Sequence, residues 1–202
     1  MKRNNIIALV AVVAIAISCG DSTAEENTAS AEKVTMQLDN EASTLWWNGG
    51  ENENHFREGW ITISEGSVNF TGDSIESGEF TIDMNSISSV DEGLPEEKIG
   101  YLNSHLKDTS FFQTYEFPTA QAIIYGQNGN NIDLGIKVMG VELRNEVPVT
   151  VSKDENGAKI IGEFSIDFSD TGMEYITKIN PEKGTTGAKP VFNFKLNLAV
   201  KK

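Results

Sequence analysis

The sequence has little cysteine, histidine and positive charge. One Cys and two His occur in 202 residues, and 16 Lys and Arg stand against 30 Asp and Glu. A single cysteine forms no disulfide within the chain and, with two histidines, leaves few ligands for a zinc site. A formal net charge of −14 disfavours binding to nucleic acid, which requires basic patches. We therefore expect no metal, no cofactor and no nucleic-acid partner.

No apolar run reaches the roughly 18 to 20 residues that a membrane-spanning helix needs. The run from Ile6 to Ile17 follows Lys2 and Arg3 and precedes the small residue Ser18. A charged start, a short apolar stretch and a small residue at the end are typical of a secretory signal. We predict a lipoprotein signal peptide over residues 1–18.

The only cysteine, Cys19, lies directly after this segment. Residues 16–20, Ala-Ile-Ser-Cys-Gly, resemble the lipobox of bacterial lipoproteins, in which the cysteine is acylated and becomes the N-terminus. The resemblance implies a lipid anchor at Cys19 and a location on a membrane of the bacterial envelope, facing the periplasm or the cell surface. Loss of Lys2 and Arg3 with the signal takes the formal charge from −14 to −16, so we expect membrane contact through the anchor alone.

A polar stretch separates the cysteine from the rest of the chain. From Gly20 to Lys33 the sequence has no large apolar residue that could offset the entropy of ordering. We predict an acidic tether over residues 19–33, with a random-coil span of roughly 20 Å. Residues 34–202 then form one domain with a sizeable core.

The domain shows the period-two alternation of β-strands. Apolar residues alternate with polar ones at 80–84, 132–138, 164–168 and 192–198, with Gly- and Asn-rich turn sequences between the runs. Each strand then has one apolar face. Short spacings between the runs favour hairpins in sequence order.

One segment departs from this alternation. Pro95 and two following glutamates suit a helix start, and Ile99, Leu102 and Leu106 follow at helical spacing. We predict a helix from Pro95 to Lys107 that covers an end of the sheet. An aromatic cluster follows it at residues 111–117.

About eight strands with one apolar face each favour closure into an antiparallel barrel, because closure removes exposed edges. The predicted fold class is all-β, with one short helix at the barrel end. A barrel of this size is either filled by its own side chains or holds one small ligand, and strand counting leaves both open.

Several segments together resemble the YceI-like family of bacterial periplasmic and lipoprotein domains. They are Ser43–Trp47 with Gly49, His55 and Gly59, Gly78–Met84 with Ser86-Ile87, His105–Lys107, Phe111-Phe112, Phe117–Ala120 and Gly140–Leu143. The resemblance implies an extended lipocalin-like barrel whose lumen holds a long apolar molecule, either a polyisoprenoid or a fatty-acid derivative.

We therefore expect a membrane-tethered carrier, without a catalytic residue, whose ligand contacts inward apolar side chains. The predicted ligand-binding residues are Trp47, Phe80, Ile82, Met84, Phe111, Phe112, Phe164, Ile166, Phe192 and Phe194. Two alternatives remain: a ligand-free envelope interaction or stress protein, and a hydrolase that uses carboxylates or His55. Homodimerisation also stays open.

Overall fold

β-Strands dominate the structure. This computed structural model describes residues 31–52, 55–92, 94–177, 179–180, 185–186 and 188–202. The predicted signal peptide, Cys19 and nearly all of the tether lie outside these residues. The elements are β1 Lys33–Leu38, β2 Thr44–Asn52, β3 His55–Thr71, β4 Ser74–Ser89, α1 Glu96–Lys107, β5 Thr119–Asn128, β6 Asn131–Val138, β7 Val141–Lys153, β8 Gly157–Asp167, a 3-10 turn Ser169–Thr171, α2 Glu174–Thr177, β9 Ile179–Asn180, β10 Thr185–Thr186 and β11 Val191–Lys201.

Eight strands close into an antiparallel barrel. Strands β2 to β8 pair in sequence order, and β11 pairs with both β8 and β2, which joins the two edges. The predicted all-β barrel of about eight strands is therefore confirmed. Closure pairs every edge of this sheet, so the apolar faces meet in the interior.

Strand β1 is an additional strand that lies end to end with β2, between β3 and β11. It pairs with the C-terminal part of β3, from Lys33 with Thr71 to Gln37 with Ser67, and with the last residues of β11. Strand β2 pairs with the opposite ends of the same two strands. One position in the wall is thus filled by two short strands in series. Lys33, the residue predicted to end the tether, is the first residue of β1.

The connections divide the barrel into two different ends. The hairpins β3–β4, β5–β6 and β7–β8 turn at one end, which we call the turn end. The β2–β3 and β6–β7 hairpins, α1 and the β8–β11 connection lie at the other, the mouth end. At the β6–β7 hairpin, Met139 and Gly140 have φ values of 50° and 78°, as a type I′ turn requires.

Helix α1 confirms the helix predicted from Pro95 to Lys107, with Pro95 as its N-cap residue. Its fully buried residue is Leu106, and the side-chain oxygen of Asn103 accepts the amide N–H of Ser89 at 2.7 Å. This hydrogen bond fastens the helix to the upper end of β4. Within the described part of the chain, neither α1 nor α2 is long and apolar enough to span a membrane.

Candidate ligand-binding lumen and mouth

The barrel interior contains two small voids with apolar walls. The upper void, nearer the mouth end, has a volume of about 60 Å³, and the lower void has a volume of about 50 Å³. Leu45, Ile82, Ile136 and Phe164 line both, so the voids are neighbours along the barrel. Every described residue that lines either void is apolar. This interior offers van der Waals contact to a ligand and no hydrogen bond from a side chain.

All ten sequence-predicted ligand-binding residues face the interior or the mouth. Phe80 lines the lower void, and Phe111 lines the cavity at the mouth end. The other eight line the upper void: Trp47, Ile82, Met84, Phe112, Phe164, Ile166, Phe192 and Phe194. The structure therefore brings them together, and their contact with a ligand stays a prediction.

Sequence reasoning missed seven residues of the upper void. Three of them, Ile136, Val138 and Phe168, continue alternating runs of the sequence, so their inward direction follows from the same period of two. The remaining four are Leu45, Ile61, Ile87 and Ala120. Ile87 had no such signal, because the alternation of β4 is interrupted just before it.

The interruption is an enlarged bulge in β4, in which residues 84–87 lie opposite the single residue Ile61 of β3. Thr62 of β3 pairs with Asp83, but Trp60, two residues away, pairs with Ser88. The hydroxyl of Ser86 accepts the amide N–H of Thr62 at 2.8 Å and donates to the carbonyl of Asp83 at 2.6 Å. These bonds satisfy backbone groups that the ladder leaves unpaired. As a result Met84 and Ile87, three residues apart, both face the lumen.

The bulge also sets the position of Trp47. The indole N–H of Trp47 donates to the carbonyl oxygen of Ser88 at 3.2 Å. That oxygen lies 1.7 Å from where a Cβ of Gly59 would be, so only glycine leaves room for it. Trp47 is 2% exposed. A buried indole N–H needs an acceptor, and the backbone of β4 supplies it without a polar side chain in the lumen.

Four aromatic rings separate the upper void from the mouth. We call Trp47, Phe112, Phe168 and Phe192 the aromatic layer. The Phe192 ring stacks on Trp47 with centroids 6.3 Å apart and meets Phe168 and Phe112 edge-on at 5.3 and 6.3 Å. Trp47 and Phe192 line both the upper void and the mouth cavity. A molecule that passes from the mouth cavity to the upper void therefore has to cross this layer.

The mouth cavity lies between α1 and the open end of the barrel, with a volume of about 420 Å³. Its apolar residues include Trp47, Leu106, Phe111 and Phe192, whereas Arg57, Lys98 and His105 give it polar groups. Arg57 comes from β3, and the other two come from α1. The cavity thus joins an apolar floor to a basic wall.

His105 is held in place by a carboxylate and by aromatic rings. Its Nδ1 lies 2.8 Å from Oδ2 of Asp108, and its ring meets Phe111 and Tyr175 edge-on at 5.1 and 4.9 Å. Burial raises the pKa of the Asp108 carboxyl, but the hydrogen bonds from His105 and from the Ser110 amide together hold that pKa below its usual value. The pair fixes the orientation of the imidazole at the mouth.

The other histidine, His55, is the first residue of β3, but its side chain lies outside the described part of the structure. The hydrolase alternative that uses it therefore stays untested. Among the described residues, no three His, Cys, Asp or Glu side chains form a group that could hold a metal ion.

A profile comparison identifies the family of this chain. The model of the YceI-like domain matches residues 36–198, which include strands β2 to β8, most of β11, α1 and the lumen residues described above. The chain belongs to the YceI-like family. The resemblance found in the sequence motifs is thereby confirmed. A comparison with curated protein sequences gave no match.

Solved structures share this YceI-like fold at low sequence identity. One is a polyisoprenoid binding domain from Saccharophagus degradans implicated in plant cell wall breakdown, with 14% identity, a TM-score of 0.59, and coverage of 82% of this chain and 97% of that one. Another is BcnA from Burkholderia cenocepacia, with 19% identity, a TM-score of 0.57, and coverage of 80% and 98%. At these identities the likeness supports the fold.

Proposed function

We propose that this YceI-like chain is a lipoprotein of the bacterial envelope that binds one long apolar molecule, a polyisoprenoid or a fatty-acid derivative. The observation that carries the proposal is the arrangement of the interior. Two apolar voids lie in series below the mouth cavity, and a single layer of aromatic rings separates them from it. The Saccharophagus relative, described as polyisoprenoid binding, has the same fold.

Ligand uptake requires movement of side chains. Pockets for drug-sized ligands usually measure about 300 to 1,000 Å³, whereas the two voids measure about 60 and 50 Å³. A chain-like ligand therefore has to displace rings, and Phe164 and Phe194, which stack at 5.5 Å and are only partly buried, lie beside the upper void. Each buried methylene contributes about 0.8 kcal/mol. Ten methylenes would provide about 8 kcal/mol, from which the cost of moving these rings is subtracted.

The proposed anchor is an N-terminal lipid at Cys19. It would hold the barrel on an envelope membrane that faces the periplasm or the cell surface, and no second membrane contact is needed. The proposal is supported by residues 1–20 alone, through the order of charged start, apolar stretch, small residue and cysteine.

Native mass spectrometry of the protein purified from its host membranes tests ligand binding. We expect an added mass of a long-chain lipid, reduced in Phe194→Trp, which fills space beside the upper void. Val191→Trp is the matched control, because Val191 is exposed on the same strand and lines neither void. Repeated absence of lipid from the wild-type protein would refute the proposal.

The small volume of the voids favours a second candidate, a ligand-free interaction or stress protein. In that case the core rings serve stability alone, and the wild-type protein carries no lipid. A folded Phe194→Trp variant would then restore the phenotype of a deletion strain fully. Loss of the phenotype in this variant, with Val191→Trp still active, would exclude the second candidate.

A further inference from the structure

The mouth cavity has a charge opposite to that of the chain. Acidic residues outnumber basic ones by 30 to 16, yet the described residues that line this cavity include Arg57 and Lys98 and no Asp or Glu. If the charged residues of the chain were distributed evenly, most of those that line this cavity would be acidic. The basic wall is therefore a local feature of this opening at the mouth end, as far as the described residues define it.

Backbone geometry places Arg57 on the inner side of the barrel. It lies on the same face of β3 as Gly59, Ile61 and Ile63, and Ile61 and Ile63 are buried core residues. Its partner in β2 is Gly49, which has no side chain to compete for the space. Arg57 is only partly exposed, whereas most charged residues of the barrel strands are exposed. The guanidinium thus borders the cavity from the strand side.

Lys98 borders the same cavity from α1, one turn before Leu102 and two turns before His105. Two cations on different elements, above an apolar floor, form a site for an amphiphile. Guanidinium and ammonium groups carry only hydrogen-bond donors, so they favour an acceptor that is itself negatively charged. A neutral alcohol gains less binding energy from these two cations, and a cationic headgroup is repelled by them.

We propose that the ligand is an anionic single-chain amphiphile, whose carboxylate or phosphate headgroup binds between Arg57 and Lys98 while its apolar chain crosses the aromatic layer. This inference rests on the proposed function, because it assigns the headgroup of the same ligand. It also gives the mouth a role in selection: an acidic protein repels anions in general, and a local basic wall restores attraction at the opening.

A matched set of ligands tests the headgroup. Hexadecanoate, hexadecyl phosphate, hexadecanol and hexadecylamine share one chain and differ in charge. Binding can be followed by the fluorescence of Trp47 in protein with Trp46→Phe and Trp60→Phe, because neither of these two residues lines a void or the mouth cavity. We expect each cation to contribute about tenfold in affinity, so that the two anions bind about 100-fold more tightly than the alcohol. Comparison of hexadecanoate with hexadecyl phosphate distinguishes the two headgroups.

Charge-removing variants complete the test. Arg57→Gln and Lys98→Gln should each weaken binding of the anions about tenfold and leave the alcohol unchanged. Lys107→Gln, on the same helix but outside the cavity lining, should change neither. If the alcohol binds as tightly as the anions, or the variants have no effect, the headgroup inference fails and the apolar site remains. If none of the four ligands binds, the headgroup inference fails; the proposed function fails as well only if native mass spectrometry also finds no lipid on the wild-type protein.

Discussion

The indole of Trp47 is hydrogen-bonded to the backbone of Ser88, 3.2 Å away, through space that exists because residue 59 is glycine. The contact joins β2 to the bulged part of β4 and orients a ring of the aromatic layer. The pairing of β3 with β4 and the position of Trp47 at the mouth therefore depend on the same contact. A change at Gly59 should therefore affect both.

Gly59→Ala tests this relationship. The added Cβ would collide with the Ser88 carbonyl, so the strands must separate and the hydrogen bond of Trp47 is lost. We expect the free energy of unfolding to fall by about 2 to 4 kcal/mol, measured by urea denaturation. Gly100→Ala, in α1 with open space around its Cα, should instead gain about 0.5 to 1 kcal/mol. Equal effects at the two glycines would show that the Ser88 contact is unimportant.

The packing of Phe192 against Gly49 yields a second prediction. A Cβ at Gly49 would lie 2.8 Å from the Phe192 ring, so Gly49→Ala has to push this ring out of the aromatic layer. Phe192→Ala should cost about 3 to 5 kcal/mol and join the mouth cavity to the upper void. When Gly49→Ala is combined with Phe192→Ala, the added Cβ no longer collides with a ring. The two losses of stability should therefore be less than additive. Additive losses of stability would contradict the contact.

The acid limb of the stability profile yields a third prediction. The folded pKa of Asp108 is lowered, so its contribution to stability is fully present above the unfolded value of about 3.9 and is lost as the pH falls through the folded value. Asp108→Asn should remove this part of the pH dependence. The measurement is the free energy of unfolding between pH 2 and 6. Glu116→Gln, an exposed acid in the following loop, controls for the loss of one negative charge; an identical profile for both variants would refute the assignment.

The proposed anchor yields a fourth prediction. Cys19→Ser removes the proposed acylation site, so the protein should move from the membrane fraction to the soluble fraction, as followed by immunoblotting. Ser18→Ala keeps a small residue before the cysteine and should leave the protein on the membrane. Retention of Cys19→Ser on the membrane would defeat the assignment of the anchor.

Much of the fold could be predicted from the period of two and from one helical segment. The inward side of Phe164, Ile166 and Phe168 follows from alternation alone, and so would that of Arg57, which shares its parity with Gly59 and Ile61. The side of Ile87 could not be predicted, because the bulge in β4 depends on one hydrogen bond that Ser86 accepts and one that it donates, and no local sequence pattern indicates them.

The volume of the lumen could not be predicted from the sequence either. Residue types show that the interior is apolar, but the space left between rings depends on their rotamers and mutual angles. The stacking of Phe164 on Phe194 and the edge-on packing of Phe192 and Phe168 leave only small voids between the described rings. The division of one wall position between β1 and β2 could likewise not be predicted, because it depends on pairing with the distant strands β3 and β11.

The chain enters the barrel wall at the turn end. The backbone carbonyl of Glu32 accepts the amide N–H of Gly72 at 2.9 Å, and Gly72 lies in the turn between β3 and β4, at the end of the barrel opposite α1. The rim that bears Arg57 and Lys98 is therefore separated from this entry by the length of the strands. A substitution at Ala31 or Glu32 should leave the shape of the mouth unaltered.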